Sequence, residues 1–174
     1  NTAKLGLQYE QEFSNKFKMV LGATYKFDTR LNGYINNTLT SGQASISSSS
    51  DTLSHMSSPL RLGDEVAVGL GIVYNRKFRA EVDYTRSDWS KSGFEKQRGF
   101  SVNGVGGAPI FTSGVSESIR FGMEYIPRPN DVRYYKNIIA YRAGAYFTKD
   151  YYKVNGNPIY ARGITLGATL PVFQ

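Results

Sequence analysis

Apolar and polar residues alternate along most of this chain with a period of two, the pattern of a β-strand whose two faces meet unlike surroundings. Leu5, Leu7, Tyr9 and Phe13 alternate with Lys4, Gly6, Gln8, Glu10 and Glu12. After Ser14-Asn15 the pattern restarts. Phe17, Met19, Leu21, Ala23, Tyr25 and Phe27 form one face, and Lys16, Lys18, Val20, Gly22, Thr24, Lys26 and Asp28 the other.

Five more runs follow. Val66, Val68, Leu70, Ile72 and Tyr74 oppose Ala67, Gly69, Gly71 and Val73; Phe78, Ala80, Val82 and Tyr84 oppose Arg79, Glu81, Asp83 and Thr85. Ile119, Phe121, Met123 and Tyr125 oppose Arg120, Gly122 and Glu124; Ile139, Tyr141, Ala143, Ala145 and Phe147 oppose Ala140, Arg142, Gly144 and Tyr146. Ile164, Leu166, Ala168 and Leu170 oppose Thr165, Gly167 and Thr169. The chain therefore predicts seven strands and no helix, because no segment sustains apolar spacing of three and four. The longest run exceeds the five or six residues of an ordinary globular strand. It matches the roughly nine to eleven residues of a strand that crosses a membrane.

Connections between the runs alternate in length. Ser14-Asn15, Asn75-Arg76-Lys77 and Pro127-Arg128-Pro129-Asn130-Asp131 read as tight turns. Three other connections, about 29–63, 86–116 and 148–162, read as long loops. The first holds a Ser-rich stretch, Ser45 to Ser58, the second Gly104, Gly106 and Gly107, and the third Asn155-Gly156-Asn157-Pro158. Short and long connections in strict alternation fit an outer-membrane barrel, with tight periplasmic turns and long extracellular loops.

Alternation alone does not say whether the apolar face is buried inside or turned outward. Aromatic positions favour outward. Phe13, Phe17, Tyr74, Phe78, Tyr125 and Tyr134 lie at or near the tight turns, and Tyr25, Phe27, Tyr84, Trp89 and Phe147 near the opposite ends, giving two candidate interfacial girdles. The polar face carries both signs of charge at mid-strand: Lys18, Arg79, Glu81, Arg120, Glu124 and Arg142. A wet, ion-paired lumen hosts these at low cost, and lipid does not. The competing fold is a soluble β-sandwich, whose strands are shorter and loop lengths less regular. The sequence is thus read as all-β, a transmembrane antiparallel β-barrel spanning 1–174, in the bacterial cell outer membrane.

Composition agrees and narrows the chemistry. The chain has 174 residues, with 10 Phe, 13 Tyr, 18 Gly and one Trp, which suits one all-β domain. Its mean hydropathy of −0.38 looks soluble, yet a barrel dilutes its apolar residues by alternation. No run of eighteen apolar residues predicts a membrane helix. With no Cys there is neither a disulfide scaffold nor a cysteine-ligated metal. Residue 1 is Asn and no signal peptide is visible, so the chain is read as processed or as a piece of something longer. Single-chain bacterial barrels have even strand counts. Seven strands therefore point to the C-terminal part of a larger barrel, or to an eight-stranded one with a strand unrecognised near Phe100–Phe111.

Catalytic and metal chemistry finds little support. His55 is the single histidine, beside Asp51 and several serines. A Ser-His-Asp triad needs a fixed geometry, which a mobile Ser-rich loop does not supply, so no enzyme is expected. One His and no Cys disfavour a transition-metal site, and no metal or other cofactor is expected. Gly69-Leu-Gly71 lies within a strand and is not a phosphate loop; its glycines relieve crowding in the lumen or permit a bend. Glu10 with Glu12, and Glu81 with Asp83, share faces with Lys4 and Arg79, which reads as ion pairing rather than acid–base chemistry. The net charge of +7 is not arranged for nucleic acid, because the aromatics point away from the basic residues. A positive lumen or rim that attracts anionic head groups is the better use. Arg79, Arg120 and Arg142 are the candidate contacts, with Glu81 and Glu124 beside them as lumen partners. Outer-membrane lipids and lipopolysaccharide, hydrophobic small molecules and other outer-membrane proteins are the candidate partners.

The segments Leu5-Gly-Leu-Gln-Tyr, Leu21-Gly-Ala-Thr-Tyr, Val68-Gly-Leu-Gly, Ala80-Glu-Val-Asp-Tyr and Asp88-Trp-Ser resemble the strands of FadL-type outer membrane transport proteins, above all the members found in Bacteroidota. Arg133-Tyr-Tyr-Lys-Asn, Tyr141-Arg-Ala-Gly, Lys153-Val-Asn-Gly and Gly163-Ile-Thr-Leu-Gly resemble the C-terminal strands of those members. The resemblance implies a fourteen-stranded porin-like barrel, of which this chain is the C-terminal half without the plug. It implies transport of hydrophobic compounds such as fatty acids. Related barrels are instead non-transporting subunits of outer-membrane machines for protein secretion or outer-membrane protein assembly, and that is the alternative function.

Overall fold

The computed structural model describes residues 2–31, 34–41, 49–57, 60–94, 110–131 and 133–171. The strands are β1 (Lys4–Ser14), β2 (Phe17–Lys26), β3 (Thr29–Leu31), β4 (Tyr34–Ser41), β5 (Ser49–Ser57), β6 (Leu60–Leu62), β7 (Asp64–Tyr74), β8 (Phe78–Asp88), β9 (Phe111–Ser113), β10 (Val115–Tyr125), β11 (Ala140–Val154) and β12 (Asn157–Thr169). The seven long ones correspond to the seven alternating runs. They form one antiparallel sheet in the order β1-β2-β7-β8-β10-β11-β12, with β9 added against the far end of β11. Each long strand has at least 10 residues, and ten residues extend over about 34 Å. The ladder is an open path: β1 and β12 are its edges, and no pairing joins them among the described residues.

Register turns the alternation into two continuous faces. One apolar row reads Tyr9, Leu21, Leu70, Val82, Phe121, Ala145, Ile164 across the seven strands. The row at the tight-turn end reads Phe17, Tyr74, Phe78, Tyr125, Tyr141. Five aromatics in one row make a girdle that the sequence had shown only as scattered positions near turns. The opposite face carries Gln8, Gly22, Gly69, Asp83, Arg120, Tyr146 and Gly163 in one row.

Among the described residues nothing packs on the apolar face. Ala140 is the one buried apolar residue among those described, whereas Leu7, Ile164 and Leu166 are 76%, 81% and 83% exposed. A water-soluble domain of this length buries about 70% of its unfolded surface. A sandwich would place a second sheet on this face, and no such sheet is present among the described residues.

Turn chemistry explains the tight end. Ser14 pairs with Phe17, leaving Asn15-Lys16 as the turn, and a register shift between Glu12 and Ser14 sets Phe13 beside Phe17 with ring centroids 5.6 Å apart. Asn75 and Arg76 take φ of 51° and 55°, and Lys77 N–H donates to the Tyr74 carbonyl at 3.0 Å. Left-handed residues at both central positions give the twist that a hairpin requires. The third turn is longer and contains a 3-10 turn at Tyr135–Asn137.

The long connections differ from the loops expected. Within 29–63, β3 pairs β6 and β4 pairs β5, so the Ser-rich stretch lies partly in a hairpin. Within 86–116, residues 95–109 lie outside the described residues, and with them most of the candidate extra strand near Phe100–Phe111. Only the short β9 is seen there. The stretch 148–162 is not a loop. β11 and β12 continue through it to a two-residue turn, with φ of 50° at Asn155 and 78° at Gly156. Asn-Gly is the strongest short hairpin signal, and the polar residues around it hide the alternation.

Candidate functional site

The polar face of the sheet encloses a concavity of about 900 Å³. Its lining includes glycines of β2, β7, β10, β11 and β12: Gly22, Gly69, Gly71, Gly122, Gly144 and Gly167. At three of these an added Cβ would crowd a neighbour. It would meet Asp83 Oδ1 at Gly69, Glu81 Oε1 at 3.3 Å at Gly122, and Thr165 Oγ1 at 2.8 Å at Gly144. The glycines thus make room for polar side chains on this face. The sequence analysis singles out only the β7 pair, Gly69 and Gly71; the wider signal is a glycine at mid-strand on the polar parity of nearly every run.

Of the five candidate site residues, Arg79, Glu81, Glu124 and Arg142 line this concavity, and Arg120 does not. Arg79, Glu124 and Arg142 share one register row on β8, β10 and β11. Glu124 Oε2 accepts from Arg142 Nε at 2.7 Å, and its Oε1 lies 3.9 Å from Arg79 Nε. One carboxylate therefore answers two guanidinium groups. Glu81 and Asp83, expected to share that pairing, lie within 4.0 Å of no basic group among the described residues, nor does Arg120 meet a carboxylate. On the neighbouring strands Glu10 pairs with Lys18, and Lys4 pairs with Glu65 at 3.5 Å rather than with Glu10 or Glu12. Strand face does not decide which charges meet, and neither does register alone: among the described residues Arg120 lies across from Asp83 without an ion pair, and Lys18, across from Glu12, pairs with Glu10. Side-chain reach across the assembled sheet selects the partner.

At the long-loop end, aromatic and backbone contacts tie the connections together. Trp89 stacks on Tyr151 with centroids 5.0 Å apart, and Phe111 on Tyr152 at 5.6 Å. Trp89 N–H donates to the Gly114 carbonyl at 3.0 Å. Trp89 thus belongs to this collar rather than to the outward aromatic girdle. At Gly63 an added Cβ would fall inside van der Waals contact of the Asp88 carbonyl. His55 and Asp51 sit opposite Asn36 and Leu39 in the β4–β5 ladder; their side chains lie outside the described residues. No group of three or more metal-ligating residues occurs among the described residues.

At the tight-turn end, Asp131 organises the third turn. Its carboxylate accepts from Asn137 Nδ2 and from the backbone N–H of Arg133 and Tyr134, the last two at 2.8 and 3.2 Å. The Asn137 hydrogen bond, then the backbone donors and Arg128, hold its carboxyl below the usual carboxylate range.

An exposed apolar face with an aromatic row and a polar concave face describe an architecture that many β-sheet families share. The model of one family matches residues 1–174. The chain belongs to the BamG family. BamG proteins are an outer-membrane assembly-related family, distinct from FadL-type transporters, so the FadL assignment is corrected. The short motifs behind it, Leu-Gly-x-x-Tyr and its variants, are what any strand writes when one face takes bulky apolar residues and the other glycine. They report an architecture, not a lineage. No match is found among curated proteins or solved structures. BamG membership makes this an outer-membrane-associated protein with other outer-membrane proteins as its associates.

Proposed function

We propose that this BamG-family chain is a non-enzymatic subunit of the outer-membrane protein assembly machinery, held in the bilayer by its β-sheet as part of a barrel wall. The uncovered apolar face, with its aromatic row at the tight-turn end, is the observation that carries the membrane half of this reading. An apolar face this large is left open in water only at a partner or a membrane, and a row of Tyr and Phe suits the headgroup level. The family carries the assembly half. The connections at the long-loop end, built from small ladders and the aromatic collar, are the docking surfaces.

Gentle extraction from native membranes tests the two halves separately. The chain is expected to stay with the pellet in alkaline carbonate and to co-purify with other outer-membrane proteins in stoichiometric amount. Release by carbonate would overturn the membrane reading, and recovery as a lone monomer the assembly reading.

A further inference from the structure

The three tight turns converge at one end of the sheet. Register places Phe17, Tyr74, Phe78, Tyr125 and Tyr141 in one row there, and the turns are linked: Asn75 N–H donates to the Lys16 carbonyl, and Ile126 N–H to the Lys77 carbonyl at 2.7 Å. These turns hold Lys16, Arg76, Lys77, Arg128, Arg133 and Lys136 against a single acid, Asp131. Six cations and one anion give +5 of the chain's +7. Asp131 is already engaged by the turn backbone, Asn137 and Arg128. Among the described residues none of the other five cations has a carboxylate within 4.0 Å. All but Lys77 are exposed.

We infer that this rim binds the anionic phospholipid headgroups of the adjacent leaflet. Two observations favour lipid over an acidic protein. The cations are spread over three turns along the rim instead of clustered in a concavity; the 900 Å³ hollow lies on the polar face. They also stand just beyond the aromatic row, which marks headgroup level, where Lys and Arg gain from an anionic surface. Within the third turn Arg133 lies over the Tyr134 ring at 5.7 Å.

The inference rests on the membrane-embedded reading, and its test separates the two. The purified protein is unfolded thermally in mixed micelles with phosphatidylglycerol or phosphatidylcholine. Phosphatidylglycerol is expected to raise the midpoint by about 4 °C or more at low salt. The rise disappears at about 0.5 M salt, where the screening length falls to a few ångströms. Lys16→Gln/Arg76→Gln/Lys77→Gln loses most of the rise, and Lys16→Arg/Arg76→Lys/Lys77→Arg keeps it, which separates charge from misfolding. Equal midpoints in the two lipids overturn the inference, as does a rise that survives the Gln variant. Loss of a co-purifying acidic protein in the Gln variant, without any lipid dependence, overturns it in favour of a protein partner. Failure of the membrane reading shows separately, as release of every variant by carbonate.

Discussion

Phe121 and Tyr125 offer a direct measurement of what covers the apolar face. Both lie on β10 with the same parity, four residues apart, and they are 45% and 48% exposed. Four residues are about 14 Å along a strand, or about 10 Å of depth at the usual barrel tilt of about 40°. Phe121 belongs to the middle apolar row and Tyr125 to the aromatic row beside the turns. If lipid covers the face, Phe121→Arg costs about 2–4 kcal/mol and Tyr125→Arg about 0–1 kcal/mol. The gap of about 1 kcal/mol or more is about fivefold or more in the folding equilibrium. Urea unfolding in lipid vesicles measures it. Trp89, the single Trp, stacks on Tyr151 and reports the loss of the collar. Equal costs below about 0.5 kcal/mol are what an exposed, solvated surface gives, and they would refute a lipid-facing sheet. Equal and large costs would mean that protein covers both positions.

Further outcomes follow from the site and the turns. Glu124→Gln leaves Arg79 and Arg142 facing each other across β10, and with both arginines more than half exposed it is expected to cost only about 0.2–1 kcal/mol in the same assay. Gly156→Val forces a β-branched residue to a φ of 78° and is expected to destabilise the β11–β12 hairpin by about 1–2 kcal/mol or more, read as faster amide exchange through 150–160. Acidification tests Asp131: its carboxyl is held low in the folded turn, so its contribution is complete above the unfolded value of about 3.9 and is lost as pH falls through the folded value. The Tyr134 and Tyr135 environment is expected to change in that acid range, and not in Asp131→Asn; an acid transition that persists in the variant would assign it elsewhere.

Sequence alone determined the seven long strands, their two faces, the first two tight turns and the end at which the three turns lie. These follow from local causes: a period of two along the backbone, turn residues between the runs, and the chemical contrast between neighbouring side chains. The glycine lining was legible too, though only for Gly69 and Gly71. Tertiary structure decided what depends on register and on side-chain reach. It brought Glu124 to both Arg79 and Arg142 and, among the described residues, left Glu81 and Arg120 without ion pairs, Arg120 although Asp83 lies across from it. It drew the separate aromatics into one row and made 148–162 a continuous hairpin. Among the described residues it also left β1 and β12 unpaired with each other. A strand's alternation fixes which face each residue takes but not which residue lies across from it. That partner is set by turn geometry and by extra residues in a strand, as between Lys149 and Lys153 on β11. Charge pairing across strands is therefore a property of the assembled sheet.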